Sequence, residues 1–141
     1  LLANPGDGVR VDWAIPCRYV EVQQAGGATI VGAGADLATV QSTPAAVPVL
    51  FAVRLVGAPD EFDGKTPHEL ACRIYGPDGQ QVGEQTARLT SQIDQRVPGY
   101  VAEILLPLGV VLDVQGVGTF GVEFSVDDHS LRVPIHVVTP V

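Results

Sequence analysis

Six loop carboxylates and three histidines are the residues of this chain whose types could do chemistry together. Asp60, Glu61 and Asp63 fall in the polar stretch 58–67, Asp94 in 91–98, and Asp127 and Asp128 in the last polar turn, with His68 and His129 beside them. Clustered carboxylates on loops are how a hard cation such as Ca²⁺ is held, since it takes 6–8 oxygen ligands. A carboxyl pair is also the minimum for general acid and base work in a hydrolase, if one member is kept protonated in an apolar cleft. Against both stands the ordinary role of Asp and Glu, which initiate turns and solvate their tips. Their spacing matches no EF-hand or other cation loop, and every one of the six sits in a polar stretch. The sequence therefore predicts no catalytic residue, no metal and no cofactor, with these six as the candidates to check.

Other constellations are absent. The serines (Ser42, Ser91, Ser125, Ser130) lie in no Gly-x-Ser-x-Gly elbow. His129 and Ser130 are chain neighbours, which cannot aim an imidazole at a hydroxyl as a triad requires. Gly32 and Gly34 open like a dinucleotide fingerprint, but Leu37 stands where the third glycine belongs. Cys17 and Cys72 are too far apart in sequence for a Cys-x-x-Cys motif and read as buried thiols acting as small hydrophobes. A bridge between them is the alternative, and needs their Cα atoms within about 7 Å. His68 and His136 read as polar residues at strand ends, and Trp13 as a packing aromatic.

The elements that must carry these residues are strands. In the closing stretch Phe120, Val122, Phe124 and Val126 share one parity and Leu131, Val133, Ile135 and Val137 the same parity after a polar turn, which predicts a hairpin with one buried face. Residues 13–24 predict a long opening strand with Trp13, Ile15, Cys17 and Tyr19 on one face and a bulge near Tyr19, where the parity changes. Residues 29–31 return after a glycine turn. Residues 32–47 are irregular, with a short helical turn over 36–40. Strands follow over 47–57 (Val47, Val49, Phe51, Val53 and Leu55 on one face), 68–75 and 81–90, the last two joined by the turn of Pro77, Asp78 and Gly79. Residues 100–106 and 110–114 read as two further pieces. No segment keeps a 3.6-residue apolar period over ten residues. The expectation is an all-β, antiparallel β-sandwich of seven to nine strands with little or no helix, its core built from Ile15, Val49, Phe51, Val53, Leu70, Ile74, Phe120, Val122 and Phe124.

Composition sets the class. At 141 residues with 46% apolar and 17% charged residues, the chain suits one domain over 12–141, preceded by an extension over 1–11. A net charge of −8 repels phosphate backbones, so nucleic acid is not an expected partner. The longest uncharged apolar run, 104–112, is far short of the ~20 residues a membrane helix needs. The expectation is a soluble protein; the residues leave its compartment open, with the cytoplasm slightly favoured. The chain has no Met, which suggests a processed product or part of something longer. Among the basic residues only Lys65 is Lys, the rest being Arg; with abundant Ala, Gly and Val, that suggests a GC-rich bacterial genome.

The order of features resembles a family of small uncharacterised bacterial proteins, all-β and of unknown function. The resemblance rests on the strand after Asp12 with its Gly26 and Gly27 turn, the strand from Pro48 to Leu55, the stretch Gly64 to Leu70 with His68, Glu69 and Leu70, the Pro77-Asp78-Gly79 hairpin, and the closing strand from Gly118 to Phe124. It covers residues 12–138, fits least well over 32–46, and implies no catalytic residue or ligand.

The function expected from these readings is a non-enzymatic binding or assembly module whose partner is a protein or a second copy. The alternatives are a Ca²⁺-dependent ligand- or membrane-binding sandwich resembling C2-type modules, and a hydrolase using the acidic loops. Pro134 has no amide to donate, so the last strand is expected at a sheet edge, exposing Arg132, Pro134 and His136. The half beyond it, with Val137, is the expected place for a partner strand to add.

Overall fold

The computed structural model describes residues 8–23, 27–91 and 102–141. Ten strands run in chain order: β1 Arg10–Cys17, β2 Tyr19–Val22, β3 Ala28–Val31, β4 Leu37–Thr39, β5 Ala45–Gly57, β6 His68–Tyr75, β7 Gln81–Leu89, β8 Ala102–Val114, β9 Gly118–Val126 and β10 His129–Val138. The one helical element among the described residues is a 3₁₀ turn at Pro59–Glu61. Three sheets result, ordered β1-β5-β8, β4-β10-β9-β6-β7 and β2-β3. Every pairing is antiparallel except that of β4 with β10.

The three-stranded and five-stranded sheets turn their apolar faces to one continuous core. Phe51 of β5 meets Phe124 of β9 edge to face, ring centroids 4.9 Å apart, the arrangement that brings the positive edge of one ring to the negative face of the other. Of the nine core residues expected from alternation, eight are buried. Ile15 is the exception, being half-buried. A register shift between Val11 and Trp13 is the reason: one extra residue in a strand exchanges its two faces, so Val11 before the shift and Ala14 after it enter the core instead.

Other boundaries differ from the sequence reading. The opening run breaks at Arg18, and its second half leaves to form the β2-β3 hairpin. The segment 36–40 holds strand β4 at its centre and not a helical turn, because the edge of β10 offers its backbone a ladder: His136 donates to the Asp36 carbonyl at 2.7 Å and Val40 to that of Val138 at 2.9 Å. β8 runs unbroken through Pro107 and Gly109 against β5. The fold also begins earlier than residue 12, since Val9 is fully buried and Arg10 and Val11 already pair with β5.

Candidate functional site

At the end of the molecule where β5 finishes and β6 begins, four segments converge on His68, the one buried polar residue among those described (5% exposed). Its position follows from parity: His68 precedes Leu70, Cys72 and Ile74 on the inward face of β6. Nε2 donates to the Glu61 carbonyl at 2.8 Å, and Nδ1 lies 3.1 Å from Oδ2 of Asp127. The same oxygen accepts the Val9 amide at 2.7 Å. Asp127 is placed by the two-residue turn between β9 and β10, where it adopts φ +46°, a left-handed conformation that Asp tolerates. Gly8 packs so closely over it that a Cβ would stand 2.9 Å from the carboxylate. The 3₁₀ turn brings the Glu61 carbonyl across, and Phe62 closes the site with its ring 6.1 Å from the imidazole.

A histidine with a carboxylate behind it is half of a general-base arrangement. Here both ring nitrogens face oxygen acceptors and the ring is buried, so neither nitrogen is left to a substrate. The cluster ties the chain start, the 3₁₀ turn, β6 and the last hairpin together.

The five candidate carboxylates among the described residues do not converge on one point. Asp127 is committed to His68 and Val9. Glu61 sends Oε2 to 3.9 Å from His68 Nε2, longer than a hydrogen bond. Asp60 and Asp128 are exposed, and Asp94 lies outside the described residues. Asp63 folds its own loop, accepting the amides of Lys65 (2.8 Å) and Thr66 (2.7 Å) and the Thr66 hydroxyl (2.9 Å). Those donors hold its pKa down at about 2, against an ordinary 3.8. Among the described residues no three of His, Cys, Asp and Glu stand where they could hold a metal ion. Cys17 and Cys72 are free thiols.

The docking candidates on β10 divide. Arg132 stacks over the Tyr75 ring, 4.3 Å from its centroid, a cation–π contact, and Pro134 is exposed. His136 Nδ1 is 2.9 Å from the Thr119 hydroxyl, while Val137 is buried and pairs with Ala38 of β4. The half-strand expected to be open to a partner is thus covered by β4, because Asp36 and Val40 bring backbone hydrogen bonds to His136 and Val138. The proline itself is where the sequence placed it: the uncovered part of the β10 edge ends at Pro134.

A second feature had no signal in the sequence. Where β1 gives out at Cys17, a groove of about 700 Å³ lies among Leu37 and Ala38, Pro48 to Leu50, Gly109 to Val111, and Ile135. Leu37 is 64% exposed and Val111 60%. Along β5 it is about 26 Å from the His68 end, at ~3.3 Å for each residue from Val49 to Gly57.

The sequence matches the model of a family of unknown function, DUF6941, over residues 12–138. The chain belongs to that family. The match spans the same residues as the resemblance read from the strands and turns, and takes in the groove and the His68 cluster apart from Gly8 and Val9. No curated protein matches the chain.

Proposed function

We propose that the protein is a non-enzymatic binding or assembly module that engages a protein partner through the groove beside β4. The observation that carries this reading is the pair of large apolar side chains, Leu37 and Val111, standing exposed at a groove whose other walls include Cys17, Val49, Val110 and Ile135. Exposed apolar residues grouped at a concavity mark interaction sites, whereas isolated ones are ordinary. The commitment of His68 and Asp127 to each other and to the backbone speaks for a structural role of the acidic end.

The test uses a naphthalene sulfonate dye as an apolar probe. Saturable fluorescence enhancement by the folded chain is expected, and Leu37→Glu and Val111→Glu should each weaken it several-fold. Both sites are exposed, so stability should change by no more than about 0.5 kcal/mol. A native chain that gives no enhancement, or variants that bind the dye as well as the parent, would remove the groove from the argument.

A further inference from the structure

Among the described residues, the long open strand edges carry prolines, with one exception. Pro16 is in β1, Pro107 in β8 and Pro134 in β10; β1 and β8 bound the three-stranded sheet and β10 is uncovered before His136. Proline offers no donor and blunts an edge against strand addition. β7 is an edge strand of nine residues with none. Among the described residues nothing pairs with its side away from β6.

The direction of its backbone groups follows from the registers. In a strand the N–H and C=O of one residue face one neighbour and those of the next residue the other. His136 donates toward β4, so Ile135 faces β9. Carrying that parity through Ile135↔Phe120, Glu123↔Arg73 and Cys72↔Gln85 sets Gly83, Gln85, Ala87 and Leu89 against β6. The backbone groups of Glu84, Thr86 and Arg88 point to the open side. Their side chains, two residues apart, share the outer face and are exposed.

We infer that this edge pairs with β7 of a second copy of the chain, antiparallel, about a two-fold axis at Thr86. That register sets Glu84 of each copy opposite Arg88 of the other and Thr86 opposite Thr86, all as hydrogen-bonded pairs. Centred on Glu84 or on Arg88 instead, like charges would meet, which is destabilising. The pairing also extends a charge row already built across the sheet: Arg132 to Glu123 at 3.8 Å, Glu123 to Arg73 at 3.8 Å, Arg73 to Glu84 at 3.7 Å. Arg88 of the second copy is the next member, followed by Glu69, its register partner. A self-complementary patch is what a two-fold dimer requires. Strand pairing of this length buries less than the roughly 1,200 Å² of a standard interface, so the association is weak. None of these residues lines the groove, and the inference stands apart from the function proposed above.

Sedimentation velocity of the full chain, diluted from about 1 mM downward, tests it. A concentration-dependent dimer is expected. Thr86→Pro should abolish it while leaving the β6 ladder and the far-ultraviolet spectrum intact, because the lost donor points outward. Glu84→Arg alone should weaken association about tenfold or more, and adding Arg88→Glu should restore it. Both of those variants lack the internal pair with Arg73, so recovery in the double variant reports pairing between copies and not a repaired fold. A chain that stays monomeric throughout, or a dimer indifferent to both Thr86→Pro and the charge exchange, overturns the inference.

Discussion

His68 and Asp127, 59 positions apart in the chain, meet at 3.1 Å, and through that contact the last hairpin fastens the strand after the acidic loop. The carboxylate also takes the Val9 amide, so one part-buried side chain meets both the imidazole and a backbone N–H.

Removing it leaves the Val9 amide without its acceptor and the imidazole without its carboxylate neighbour. Asp127→Ala is expected to cost about 1–3 kcal/mol for the unsatisfied groups, with more from forcing Ala into the left-handed region. Asp127→Asn keeps the left-handed tolerance and one oxygen, and should cost less. Urea unfolding of the two variants measures the difference. Equal, small losses would show that the carboxylate holds nothing in place.

Much of this was legible from residues. Alternation located the core-facing sides of β5, β6, β9 and β10, although the second half of β5 and Ala71 of β6 are buried on the other side as well. Legibility failed where a partner strand overrode local preference. The segment at Asp36 has no strand-like run of its own and becomes β4 only because β10 presents unpaired backbone beside it. The bulge near Asp12 left no mark in the apolar pattern, so Ile15 was assigned to the wrong face. The parity of His68 with Leu70 and Cys72 did signal burial. Its partners, an aspartate in a remote turn and a carbonyl of the 3₁₀ turn, are products of topology. The groove is likewise assembled from strand ends that no local pattern relates.

Phe124 probes the contact between the two main sheets. Its ring is fully buried against Phe51, so Phe124→Ala should cost about 3–5 kcal/mol by cavity formation. Denaturant titration checks this. A loss under about 1 kcal/mol would mean the cavity is not there, and that the two inner faces do not meet at this ring.

Cys72 offers a reading of core integrity. Burial in the apolar interior raises its pKa to about 11, and the thiolate is the reactive form. At pH 8 a thiol reagent should leave Cys72 unmodified in the native chain and label it on unfolding. Cys17, at the groove and also raised by burial, should react ahead of it. Without reductant, both thiols should titrate in the denatured protein; finding none would mean a bridge between them.

Asp63 makes a prediction about acid. Its folded pKa, about 2, lies below the ordinary 3.8 because two amides and a hydroxyl donate to the carboxylate. A depressed folded pKa means that the unfolded chain takes up the proton first, so stability rises with pH across that window. The contribution is present in full above the unfolded value and is lost as the pH falls from about 4 towards 2. Asp63→Asn has no such titration. Melting temperatures of the parent and the variant, measured from pH 6 down to pH 2, should therefore differ most at the upper end and converge at the lower. A gap that stays constant with pH would show that the loop is held by the geometry of the turn and owes nothing to the charge.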